Sequence, residues 1–69
     1  MEPWMGEIVG ELHMKRIRQT DVAAEMGISS QFLSAVLNGA KHSSGIEGRI
    51  RNAIARIEAR RKEESADGA

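Results

Sequence analysis

The sequence predicts an all-α fold, a compact four-helix orthogonal bundle. Three observations point there. Apolar residues recur at helical spacing along nearly the whole chain, and no segment alternates with the period of two that marks a strand. Glycine and asparagine interrupt this pattern at Gly27 and at Asn38-Gly39, where helices end. The 69 residues make one domain, which buries only about 60% of its unfolded surface; a large enzyme with a deep cleft does not fit that size.

The first helix is expected over about residues 4–14. Pro3 suits a first turn, where its missing N–H costs nothing. Trp4, Ile8 and Leu12 fall four apart with Met5 and Val9 beside them, a stripe read as core rather than a ligand box. Gly6 and Gly10 each weaken the helix by about 1 kcal/mol relative to alanine, so either packing holds it or a neighbour approaches closely there. The second helix runs from about Gln19 to Met26. Val22, Ala23 and Met26 share a face, Asp21 complements the helix dipole, and Gly27 closes the end. The third starts after Ser29, a good N-cap, with Leu33, Val36 and Leu37 inward. A polar loop follows over residues 40–45. Ser44-Gly45-Ile46-Glu47 matches a capping box that opens the fourth helix, whose Ile46, Ile50, Ile54 and Ile57 hold one face. Glu47–Arg51 and Glu58–Lys62 stand at i,i+4 in the favourable order. This helix is expected to fray near Arg61. The domain therefore covers residues 1–62, and 63–69 form a polar, disordered tail.

Composition narrows the chemistry. There is no cysteine, so disulfides and thiolate metal sites are excluded. No apolar run nears the roughly 20 residues that span a membrane, and the acidic start lacks the basic residues of a signal peptide. The expected location is cytoplasmic, at the nucleoid. Net charge is zero, but unevenly spread. Residues 13–52 carry six bases (Lys15, Arg16, Arg18, Lys41, Arg49, Arg51) against three acids, and a polyanion feels the field within a Debye length of about 10 Å. His13 and His42 lie far apart with no carboxylate cluster at ligand spacing, and Ser34 has no Ser–His–Asp arrangement around it. No metal, cofactor or enzymatic activity is expected. His42 is either solvated or a phosphate contact, Phe32 packs at the junction with the second helix, and Arg60-Arg61-Lys62 read as a solvated helix end.

The second and third helices, joined through Gly27-Ile28-Ser29 with Ile28 plugging the core between them, describe a helix-turn-helix unit. Gln19-Thr20-Asp21-Val22-Ala23-Ala24-Glu25-Met26-Gly27-Ile28-Ser29 and Phe32-Leu33-Ser34-Ala35-Val36-Leu37-Asn38-Gly39 resemble the Cro and phage-repressor, xenobiotic-response-element type of helix-turn-helix family over about residues 8–58. The resemblance implies a lambda-repressor-like DNA-binding domain and a repressor that reads duplex DNA as a homodimer. It places Ser30, Gln31, Ser34 and Ala35 at base edges, and Arg18, Gln19, Ser29, Asn38 and Lys41 at phosphates. Two positions depart from the family pattern. Arg18 stands where a Thr or Ser usually caps the second helix, and Ala35 replaces a longer polar residue. Apart from the family, Gln31 can bond adenine in two places and Ala35 can meet a thymine methyl, while Lys41, Arg18, Lys15 and Arg16 flank the third helix in sequence. The alternative reading is a protein-binding module, an inhibitor or adaptor on the same fold, favoured by the zero net charge and the apolar Trp4/Met5 end.

Overall fold

The computed structural model describes residues 2–68, with side chains through Glu64. Four helices follow in order: α1 (Pro3–Lys15), α2 (Gln19–Met26), α3 (Ser30–Leu37) and α4 (Ile46–Gly68). There is no strand among the described residues. The first three boundaries follow local chemistry. Pro3 sits in the first turn of α1. Gly27 ends α2 at φ 72°, a left-handed conformation that costs glycine little. The Ser29 hydroxyl caps α3 by accepting the Phe32 N–H at 3.0 Å.

Each helix turns one apolar stripe inward. Ile8 and Leu12 from α1, Val22 and Ala23 from α2, Leu33, Val36 and Leu37 from α3, and Ile50 and Ile54 from α4 are all buried. They form a single core, with Trp4, Met26, Ile28 and Phe32 half-buried against it. α2 packs on both α3 and α4, and α1 packs on α3. Ile28 joins the core from the connection between α2 and α3, as its isolation in a polar turn suggested. Val9 does not. It lies 41% exposed, because the inward arc of α1 is centred on Met5, Ile8 and Leu12.

Three local expectations are corrected. The Ser44/Glu47 capping box is out of register: α4 begins at Ile46, Gly45 precedes it at φ 73°, and the Glu47 carboxylate takes the Arg51 guanidinium at 3.0 Å. Glu58 does not serve Lys62; it accepts from Lys15 on α1 at 2.9 Å. Finally, α4 continues past Arg61 to Gly68. Arg61 anchors the helix there rather than fraying, since its guanidinium donates to the carbonyls of Lys15 and Arg16 at 3.1 and 3.2 Å. These are unpaired carbonyls at the end of α1, which a cation suits on dipole grounds as well. Arg16 itself adopts the left-handed region at φ 56°, and the Ile17 N–H reaches back to the Leu12 carbonyl at 2.9 Å, closing α1 in the manner usually given to glycine.

No neighbour approaches Gly6 or Gly10; a Cβ at either would meet nothing within 4 Å. α1 therefore carries two helix-weakening residues that the fold of one copy does not require. Gly10→Ala is expected to stabilise the dilute protein by about 1 kcal/mol, a rise in Tm of roughly 4–8 °C for a domain of this size. Thermal unfolding at low micromolar concentration checks it, and an unchanged or lower Tm would contradict the open surroundings of this residue.

Candidate functional site

The outer faces of α2 and α3 meet in an open groove of about 450 Å³, lined by Gln19, Thr20, Ser30, Gln31, Ser34, Ala35 and Asn38. Gln19 and Thr20 come from the first turn of α2. Ser30, Gln31, Ser34 and Ala35 come from α3, opposite its buried Leu33, Val36 and Leu37, and Asn38 is its C-cap. The pattern that hides one stripe of α3 thus fixes which residues look outward. Gln31, Ser34 and Asn38 are exposed, and Gln19, Ser30 and Ala35 are half-buried.

Six of the nine residues singled out from the sequence line this groove: Gln19, Ser30, Gln31, Ser34, Ala35 and Asn38. Arg18, Ser29 and Lys41 do not. They flank it in sequence, and all three are exposed. Thr20 lines it without having been singled out; its place beside Gln19 in the first turn of α2 was the available signal. Two of the polar groups have one function already filled. The Asn38 Oδ1 accepts the Ala40 N–H at 3.1 Å, which leaves its amide N–H groups as donors. The Ser29 oxygen is the acceptor in the α3 cap, and its hydroxyl proton is still available to donate.

The start of α2 answers what replaces the missing hydroxyl cap. Asp21 does so in reverse: its carboxylate accepts the Arg18 backbone N–H at 3.1 Å and the Arg18 guanidinium through Nε and Nη2, both at 3.3 Å. These bonds, the side-chain one first, hold the Asp21 carboxyl below its ordinary value. The Arg18 side chain remains 81% exposed, so the pair leaves most of the guanidinium open to water.

The remaining cations are largely engaged elsewhere. Lys15 bridges Glu11 and Glu58 at 2.7 and 2.9 Å, contacts that raise its pKa, Glu11 foremost. Arg51 pairs with Glu47 at 3.0 Å and reaches Glu7 at 3.4 Å. Lys15 therefore ties α1 to α4. His42 lies with Glu2, Trp4 and Glu47 in a separate hollow, away from the groove. Arg60 and Arg61, read from the sequence as a solvated end, are working contacts of the fold.

Glu25 on α2 holds that helix to α4. It accepts from Arg60 at 2.5 Å and Arg56 at 2.8 Å, and these bonds lower its pKa from 4.5 to about 2. The bound carboxylate favours the folded state. Its contribution is complete above the unfolded value near 4.5 and disappears as pH falls through about 2. Glu25→Gln is therefore expected to lower stability at neutral pH and to converge on the wild type in that acid window. Urea unfolding from pH 7 down to about 2 tests this; a constant offset at every pH would mean that charge plays no part.

A family model described as a domain of unknown function (DUF8494) matches residues 12–52. That stretch contains α2, α3 and every residue lining the groove. No curated protein matches the chain, and no solved structure does.

Proposed function

We propose, for a chain that belongs to the DUF8494 family of unknown function, that its α2–α3 groove reads duplex DNA. In this reading α2, the Gly27–Ser29 connection and α3 act as a helix-turn-helix in a lambda-repressor-like orthogonal bundle, with α3 in the major groove. The observation that carries it is the groove lining: the polar residues opposite the buried stripe of α3 converge with the start of α2 on one open surface. Gln31, Ser34 and Ser30 offer donors and acceptors at base edges, and the Ala35 methyl suits thymine. Gln19, Ser29, Asn38, Arg18 and Lys41 supply phosphate contacts, which give affinity and register rather than sequence choice. The output proposed is transcriptional regulation, most simply repression, by a homodimer on half-sites about 34 Å apart.

The groove lining contains no cation, so affinity would draw on the flanking Arg18 and Lys41. With Lys15 committed to Glu11 and Glu58, a single domain should release few counterions. The expected slope of log K against log salt is about −2. Anisotropy titrations of a random duplex pool at several salt concentrations, followed by selection of bound sequences, test the proposal. Binding with that slope and a recoverable preferred sequence support it. Absence of duplex binding at low salt overturns it and favours the second reading, a protein-docking surface, which the same uncharged lining would suit.

A further inference from the structure

We infer that α4 carries a second binding surface, an arginine row beside the end of α2 that holds a carboxylate-bearing segment of a partner protein. Arg49, Asn52 and Arg56 follow at steps of three and four residues, which puts them on one face of the helix. With Glu25 and Met26 of α2 they line a hollow of about 190 Å³. It shares no residue with the α2–α3 groove. Arg60 extends the row by one turn and bonds to the same Glu25 carboxylate as Arg56.

The row holds more positive charge than the fold consumes. The guanidiniums of Arg49, Arg56 and Arg60 share one carboxylate, that of Glu25. Its side chain is mostly covered, at 17% exposed, whereas those of Arg56 and Arg60 are more than half exposed. Arg49 is exposed and has no ion-pair partner among the described residues. The other acids of α4 do not balance it: Glu47 is taken by Arg51 and Glu58 by Lys15. Glu64 lines the neighbouring hollow together with Arg60, so the surplus sits at the Arg49 end. Arg56 gives its Nε to Glu25 and keeps its remaining N–H groups, and the Asn52 amide adds two more donors. A carboxylate seated between Arg49 and Arg56 meets paired N–H groups, the arrangement in which arginine binds it most strongly. Met26 beside them offers an adaptable apolar contact for the aliphatic stem of that acid.

An acidic polypeptide fits this row better than a phosphate chain. Arg49 and Arg56 lie about 10 Å apart along the helix, a distance that about three extended residues cover. Two acidic side chains on one short segment therefore satisfy both. A duplex carries about one charge per 1.7 Å; along this row it would press phosphates against Glu25 and Glu64 for each guanidinium gained.

This surface is independent of the DNA reading. Its probe is a dye-labelled peptide of about ten residues alternating Glu and Ser, long enough to span the row. Anisotropy titration with the full chain at low salt should show saturable binding. Arg49→Glu should weaken it at least about 10-fold, since like charges then meet, and Asn52→Asp at least about 3-fold, with thermal unfolding as in the wild type. Gln31→Ala, in the α2–α3 groove, should leave peptide affinity unchanged, which separates this surface from the DNA reading. Three results would each overturn the proposal: no saturable binding of the peptide, binding undiminished in Arg49→Glu, or displacement of the peptide by an oligothymidylate of equal charge at lower concentration than by unlabelled peptide.

Discussion

Leu33→Ala is expected to destabilise the domain by about 2–5 kcal/mol. Leu33 is fully buried on the inner stripe of α3, within a single core to which all four helices contribute. Removing its isobutyl group loses the transfer free energy of the missing atoms and opens a cavity that a close-packed core cannot fill freely. A domain of this length is expected to hold roughly 3–10 kcal/mol in all, so one truncation consumes a large share. Urea unfolding followed by circular dichroism measures the shift in midpoint. A curve superimposable on the wild type would show that α3 does not depend on this contact.

Gln31→Ala acts on the opposite face of the same helix and has the opposite profile. Gln31 is exposed in the groove, so its loss should leave the melting curve in place. On the DNA reading it removes a two-point bond to adenine, about 1–3 kcal/mol of discrimination, or roughly 5- to 150-fold between a preferred duplex and one changed at that base pair. Non-specific affinity should survive, because phosphate contacts supply it. Competition between the selected duplex and its single-base variants measures the ratio. If Gln31→Ala kept the wild-type preference, α3 would not be the element reading sequence. Arg18→Ala provides the contrast, weakening all duplexes by a similar factor.

The helices and the groove were legible for one reason: both are consequences of a 3.6-residue repeat. Once Leu33, Val36 and Leu37 are assigned inward, Ser30, Gln31, Ser34 and Asn38 must face out, and Gly27 with the Ser29 cap sets where the two short helices stop. Contacts made across the fold were not legible. Nothing local to Arg61 says that it will seal the end of α1, or that Lys15 will choose Glu58 over solvent, because those partners are more than forty residues away. Single-residue register was the other blind spot. The Ser44/Glu47 pattern is a real capping signature, displaced here by the positive φ of Gly45. Arg18 showed the converse, a position without a capping hydroxyl whose need is met by Asp21 three residues later.

The clasp of Arg61 on the Lys15 and Arg16 carbonyls has a bearing on where a working fragment can be cut. The family match spans residues 12–52, yet Ile8, Ile54 and Ile57 of the core lie outside it, as does the guanidinium that closes the ring from first helix to last. The shared stretch holds the groove but not the means of keeping it folded. A fragment that keeps these contacts must include Ile8 through Arg61, and clones trimmed to the matched stretch should express as unstructured peptide.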